Sequence, residues 1–357
     1  WVDSPEEWQV CIDGRNWNIP EYDISYADRN VRPDADREQV VTVFKGQGRA
    51  TSDRPFVVDF GVLEVGSVKL RARGTGKLEF IVGECREEAL CKDKSTFEQR
   101  PIPEVGLTGE WKDIELPERA VRYLAIFGDA EIDSLRFDTQ MWQVQRTMKF
   151  HCSDSLLNRL FEAGVATLHT SMHRFYLDGV KRDYLPWAMD AVISQLGGDY
   201  VFGDRQVARN GIALSLMPAN PSEKDWGIVD YPLHALIGLK QDYLRYGDRS
   251  TIDMYRDRIL AQLDLYESLQ DEKCFIHAPK KSAGFIPGWS RDMGPGDYGV
   301  AAYAQMMLYE NFRIAAYFAG LWGDKELQKH YRLKAVALGS AIRSCFWDND
   351  KKAFVNG

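Results

Sequence analysis

The sixteen residues Phe175 to Asp190, FYLDGVKRDYLPWAMD, carry three aspartates, Lys181, Arg182 and four aromatic rings. A surface loop dilutes its rings with Ser, Gly and Asn. A core segment excludes charge, because burying an unpaired carboxylate costs several kcal/mol. A ligand-lined cleft tolerates both. Pro186 suits the first turn of a helix and Trp187 to Gly197 can continue it, so Asp178 and Asp183 fall in the incoming loop and Asp190 in the first helical turns. The helix dipole and free N–H groups keep a carboxylate there ionised, by about 0.3 to 1 kcal/mol, so Asp190 is expected to stay an anion. For Asp183, between Arg182 and Tyr184, burial would raise the pKa and the guanidinium would lower it.

Two further clusters set acids beside rings ahead of a helix: EKDWGIVDYP, with Asp225, Trp226, Asp230 and Tyr231, and GFIPGWSRDMGPGDYG, with Trp289, Asp292 and Asp297. In a toroid of paired helices all three clusters would meet at one end. Each also has a plainer reading. Asp before a helix is a common N-cap, the acids of the first segment can pair with Lys181 or Arg182, and Trp289 can plug a core. Taken together they favour a cleft for a sugar. Breaking a glycosidic bond through an oxocarbenium-like transition state needs one protonated carboxyl at the leaving oxygen, a second carboxylate for water or the anomeric carbon, and further acids on the hydroxyls. Trp and Tyr stack on the apolar face of the ring. Of the six histidines, only His277 lies near a cluster, and a partly buried structural role is its simpler reading.

Two sequence textures, meeting near residue 148, must position these groups. Before it, QVVTVFKG, PFVVDFG, GSVKLRARG, KLEFIVGE, WKDIEL, RYLAIFGD and IDSLRFDTQMWQV are of strand length, with Gly, Pro and Asp between them. That pattern predicts an antiparallel β-sandwich over residues 1–147, with 1–50 either the tail of a preceding domain or a linker. After it, SDSLLNRLFEAGVATLHTSM has capping residues at Ser153 and Asp154 and apolar positions at Leu157, Leu160, Phe161, Gly164, Val165 and Leu168. Further helices are predicted at about 186–203, 206–217, 231–246, 251–270, 299–322 and 325–346. YVFGD, LRYGD and GLWGD each stop a helix with Gly, as stacked helical hairpins would. The segment 299–322 is apolar on nearly every face and reads as an inner helix. Residues 148–357 are therefore expected to be the N-terminal part of a helical toroid, incomplete at Gly357, its remainder supplied by the same longer chain or by a second polypeptide.

Bulk properties narrow the partners. With 357 residues, 45% hydrophobic and 27% charged, the composition is that of a globular protein of about two domains, which sets aside disorder. A net charge of -8 and no run of Lys and Arg argue against nucleic acid. No 18-residue apolar run points to a membrane span. The six cysteines form no CxxC pair and have no His at zinc-ligand spacing, so no metal is expected, and Cys85 and Cys91 read as free thiols in preference to a bridge. A chain starting at Trp1 without Met fits a mature or trimmed product, and an extracytoplasmic address is expected over a cytoplasmic one.

The run DGVKRDYLPWAMD, 178–190, resembles the signature of bacterial α-L-rhamnosidases of glycoside hydrolase family 78. FVVDFGVLEVGSVKLRARG is similar to that family's β-domain, MKFHCSDSLLNRLFEAG to the approach to its first barrel helix, and YPLHALIGLKQDYLRYGD and FWDNDKKAFVNG to later helical segments. The resemblance covers most of residues 55 to 357. It implies an (α/α)6 barrel behind β-sandwich domains and an inverting mechanism without a cofactor, with structural Ca2+ left open. It assigns Asp183 to the general acid, Asp178 and Asp190 to the rhamnose hydroxyls, and Arg182 and Trp187 to the pocket. Trp226, Asp230, Tyr231 and Trp289 are placed in the sugar pocket as well. The family usually has Glu as the acid, and the shorter Asp183 needs a closer backbone or gives weak activity. Its catalytic base is a Glu on a later hairpin, expected beyond Gly357.

The implied activity is removal of terminal α-L-rhamnose from glycosides or polysaccharides. Two alternatives stand beside it: a non-catalytic sugar-binding relic, and another helical-toroid carbohydrate enzyme such as a lyase or phosphorylase. A lyase acting on uronic acids wants Arg, Lys and Tyr, whereas Asp dominates these clusters.

Overall fold

The computed structural model describes residues 37–142, 144–181, 187–216, 230–277 and 300–355. They fall into two compact units, 37–181 with 200–203, and 187–199 with 204–355.

In the first unit, strands β1 (Arg37–Ala50), β2 (Phe56–Gly83), β3 (Val105–Thr108), β4 (Lys112–Glu115), β5 (Arg119–Phe127) and β6 (Ala130–Trp142) form one antiparallel six-stranded sheet. Three runs that read as separate strands are one, the 28-residue β2. Its middle pairs with β6 on one side, Gly66↔Thr139 to Gly74↔Ala130, and with β4 on the other. Both of its ends pair with β5, so that Ala125 lies opposite Val57 and Ile81 alike. Gly66 and Gly74, which the sequence presents as turn residues, are instead points of close approach. A Cβ at Gly66 would lie 2.1 Å from the Asp138 carbonyl, and one at Gly74 2.1 Å from that of Asp129. Val68, Leu70, Leu78, Phe80, Leu124, Ile126, Ile132, Leu135 and Phe137 share one core, each large side chain contributing about 1.5 to 3 kcal/mol by its burial.

A short helix, α1 (Arg86–Leu90), packs Ala89 with Ile81, Ala125 and Phe127. Helix α2 (Ser155–Thr170) starts where Asp154 accepts from the Leu156 and Leu157 N–H groups. Leu157 and Leu160 of its expected apolar stripe are exposed, at 50% and 58%.

The second unit contains α3 (Ala188–Val201), whose last residues fall in the first, α4 (Arg205–Ser215), α5 (Tyr231–Tyr246), α6 (Ser250–Met254), α7 (Arg256–Ser268), α8 (Ala302–Trp322), α9 (Lys325–Phe346) and a small hairpin of β7 (Trp347–Asp348) with β8 (Ala353–Phe354). The helix expected at 251–270 is divided at Tyr255, whose φ of -99° and ψ of 13° leave the helical region. Helix α8 is buried on most of its faces, with Leu308, Phe312 and Phe318 inaccessible, as its all-round apolarity predicts.

The helix corners are built from two adjacent residues. Gly203, Gly247 and Gly323 end helices with φ of +68°, +70° and +76°, where a Cβ would be strained. The Asp that follows holds the backbone at the start of the next helix: Asp204 Oδ1 accepts from Gln206 N at 2.7 Å, Asp248 Oδ1, one residue ahead of the N-cap, from Ser250 N at 2.9 Å, and Asp324 Oδ1 from Leu327 N at 3.0 Å.

Candidate active site

Three helices follow the three clusters of acids and rings, and in the structure they run side by side in the same direction. Trp187, just before α3, meets Tyr231 at the start of α5, and about two turns on Gln195 Nε2 donates to the Gly238 carbonyl at 3.3 Å. Gly238 permits this closeness, since a Cβ there would lie 3.0 Å from Val192 Cγ2. Between α5 and α8, Asn311 Nδ2 donates to the Leu233 carbonyl at 2.9 Å, and Tyr243 meets Tyr317 further along both helices. Their N-terminal ends thus gather on one side of this unit.

Buried amides hold the start of α5. Gln262 of α7 donates to the Pro232 carbonyl at 2.8 Å, beside the bond from Asn311 to Leu233. These first-turn carbonyls are fixed by two different helices, and with them Asp230 and Tyr231. The Trp187 and Tyr231 rings lie 5.6 Å apart at 86°, edge to face, with Ala188 and Met189 packed around them. Such a pair is worth about 0.5 to 1.5 kcal/mol beyond its buried area and forms a rigid apolar corner. Asp190 stands half-buried in the first turn of α3, where the Pro186 signal puts it.

Asp230 does not do what an Asp before a helix ordinarily does. It occupies the N-cap position of α5, yet its side chain caps no backbone N–H. It is inaccessible to solvent, with Oδ2 standing 3.7 Å from His234 Nε2 one turn on. The fully buried Tyr266 phenol is pushed well above its ordinary value by burial, and further by the charge of Asp230. His234, 14% exposed and 6.2 Å from the Tyr231 ring, is the residue that sequence reasoning missed. The expectation that only His277 lies near a cluster is corrected, because the spacing DYPLH puts His234 on the same face of the helix as Asp230. His277 itself is half exposed and bound to Asp271 at 2.6 Å.

Asp178 belongs to the first unit. Beyond α2 the chain makes a tight turn in which His173 N donates to Phe175 O and Leu177 N to Ser171 O. Met172, His173, Phe175, Tyr176 and Leu177 are all buried. Asp178 leaves this knot half-buried, with Oδ1 shielded from solvent. Three residues later Lys181 places Nζ 3.0, 2.8 and 3.0 Å from carboxylate oxygens of Glu84, Glu88 and Glu98. Lys181 thus pairs upstream with the sheet unit. Arg182, Asp183, Trp226 and Trp289, with Asp225, Asp292 and Asp297, lie outside the described residues.

Among the described residues no group of three or more His, Cys, Asp or Glu side chains is arranged to hold a metal, and Cys85 and Cys91 are free thiols. No helix among them is long and apolar enough to cross a membrane. Carboxylates beside an edge-to-face aromatic corner suit a neutral ligand with hydroxyls on one face and C–H groups on the other.

A match to the bacterial α-L-rhamnosidase six-hairpin glycosidase domain covers residues 145–357, more than half of the chain. The chain belongs to this family. Its fold is similar to that of a rhamnosidase from Klebsiella oxytoca with rhamnose bound, at a TM-score of 0.72 and 20% identity, over 87% of this chain and 66% of that one. A family 78 rhamnosidase of Bacillus sp. GL1 gives 0.71 and 18%, over 85% and 33%. The Streptomyces avermitilis α-L-rhamnosidase complexed with L-rhamnose gives 0.63 and 18%, over 88% and 32%. This chain therefore spans between a third and two thirds of the length of these relatives. No curated protein matches it.

Proposed function

We propose that this chain is part of an inverting glycoside hydrolase that removes terminal α-L-rhamnose from a glycoside or polysaccharide. The observation that carries the reading is the meeting of the starts of α3 and α5 at Trp187, Tyr231, Asp190 and Asp230, with α8 running alongside, in a six-hairpin glycosidase domain. The rhamnose bound in two structures of similar fold supports the choice of sugar. The apolar corner of Trp187 and Tyr231 takes the C–H face of the deoxyhexose, Asp178 and Asp190 are assigned to its hydroxyls, and Asp230 to the wall of the pocket. Arg182, Trp226 and Trp289 are assigned to the same pocket from the sequence. Asp183 protonates the glycosidic oxygen as the bond to the anomeric carbon breaks. A second carboxylate, a downstream Glu in the family pattern, takes a proton from water attacking the opposite face. Architecturally we read the sheet as a β-sandwich ahead of an (α/α)6 toroid, with the catalytic domain beginning near residue 148.

The test is hydrolysis of a nitrophenyl α-L-rhamnoside by the full-length protein and by Asp183→Asn. Loss of general acid catalysis should lower kcat by about 10² to 10⁴-fold, and equal turnover by both proteins would remove Asp183 from the acid role. Proton NMR of the first-formed sugar should show β-L-rhamnose. Rhamnose affinity by calorimetry without turnover would replace the enzyme by a sugar-binding module.

A further inference from the structure

Lys181, two residues before Asp183, has no part in the proposed chemistry. We propose that Lys181 is a positioning residue: its ammonium, clamped by Glu84, Glu88 and Glu98, fixes the downstream end of the segment that carries Asp178 and leads to Asp183. The inference rests on the reading of this segment as catalytic.

Saturation of the ammonium distinguishes the cluster from an ordinary surface ion pair. An –NH₃⁺ group has three donors and no acceptor, and three carboxylates from three different positions lie within 3.0 Å of it. The Lys181 side chain is 11% exposed, whereas Glu84 and Glu98 are about half exposed. Burial opposes the charge, and the hydrogen bonds that Lys181 donates to Glu88, Glu84 and Glu98 outweigh it, so the ammonium is held above its ordinary value. It does not titrate in any physiological range.

The anchor is itself rigid. Glu88 lies in α1, which packs through Ala89 onto Ile81, Ala125 and Phe127. The Glu84 N–H donates to Glu88 Oε2 at 2.8 Å, tying two of the acceptors together. Upstream, the segment is pinned by the buried Phe175, Tyr176 and Leu177 and by the bond from Leu177 N to Ser171 O. Asp178 and its two neighbours are therefore held at both ends, by apolar burial on one side and by a three-armed ionic clamp on the other. Among the described residues the cluster has one cation for three anions, so none of its other charges can substitute for Lys181.

Lys181→Met keeps the stem and removes the charge, and Lys181→Arg keeps the charge. In the full-length protein, amide exchange of the peptide spanning 176–190 should quicken at least about tenfold in Lys181→Met, while peptides of β2 and α8 stay unchanged and Lys181→Arg stays near wild type. Rhamnoside kcat should fall about 10²-fold in Lys181→Met, as for a displaced catalytic group, with KM changed much less. Wild-type exchange in that peptide would overturn the proposal. Faster exchange throughout both units would reduce Lys181 to a structural role and also overturn it. A wild-type protein that turns over no rhamnoside would sink the catalytic reading alone, because the exchange arm still decides whether Lys181 holds the segment.

Discussion

Two ionic clusters in this chain invert each other. Around Lys181 one cation meets three acids. Around Asp242 one acid, 2% exposed, meets two guanidiniums: Arg205 grips both its oxygens at 3.1 and 2.9 Å, Arg209 stands at 3.3 Å, and both also reach Asp248 at 3.2 and 2.9 Å. Arg205 further lies 4.4 Å over the Tyr246 ring. The Asp242 cluster is balanced in charge and made of planar forks, and it ties α4 to the neighbouring α5 and its corner. The Lys181 cluster is unbalanced, uses a point charge that accepts any approach direction, and ties a segment to glutamates more than eighty residues upstream. A balanced network has no spare member and serves stability. An unbalanced one tolerates changes at its rim and none at its centre, which suits a clamp on a functional segment.

The contrast can be broken at its strongest point by Asp242→Ala, which removes the buried acid and leaves the two guanidiniums only the more exposed Asp248. It should cost about 3 to 5 kcal/mol in urea unfolding, and a loss below about 1 kcal/mol would show that solvent replaces the carboxylate. Next comes the surplus acid beside that network. Burial raises the Asp199 carboxyl from 3.8 to about 6, and Asp242 adds to it, against a bond from Tyr246 OH at 3.1 Å. The folded state thus binds this proton more tightly than the unfolded chain. Its contribution is fully present below pH 3.8 and is lost as pH rises to about 6, a change of up to about 3 kcal/mol. Asp199→Asn should therefore raise the urea midpoint at pH 8 and flatten its fall between pH 4 and 6, and a midpoint at pH 8 equal to wild type would remove Asp199 from the ledger. The smallest effect belongs to the rim of the other cluster. Glu98→Gln should stay within about 0.5 kcal/mol of wild type and leave exchange at 176–190 unchanged, whereas a loss like that of Lys181→Met would make all three glutamates equal partners.

Local features were legible in the sequence and distant ones were not. The bounds of α5, α8 and α9 follow from apolar periodicity and the Gly endings, and Trp187 and Tyr231, assigned to one pocket, do meet. The division of β2 into three was wrong because Gly66 and Gly74 were read for their turn propensity, while their reason for being Gly is the β6 backbone, more than fifty residues away. Asp230 looked like a cap by position, and only its burial against His234 and Tyr266 removes that role. Lys181 was weighed as a partner for nearby aspartates. Its true partners lie in another element, and no periodicity connects them.

The Gly-Asp corners carry one more consequence. A bend specified by two consecutive residues can be completed as soon as they leave the ribosome, so each helical hairpin can close in the order of its synthesis. The sheet has no such freedom, because β1 pairs with β6 and must wait until that strand has been translated. The amino-terminal part of this chain is thus made first and finished late, while its helices assemble on the move.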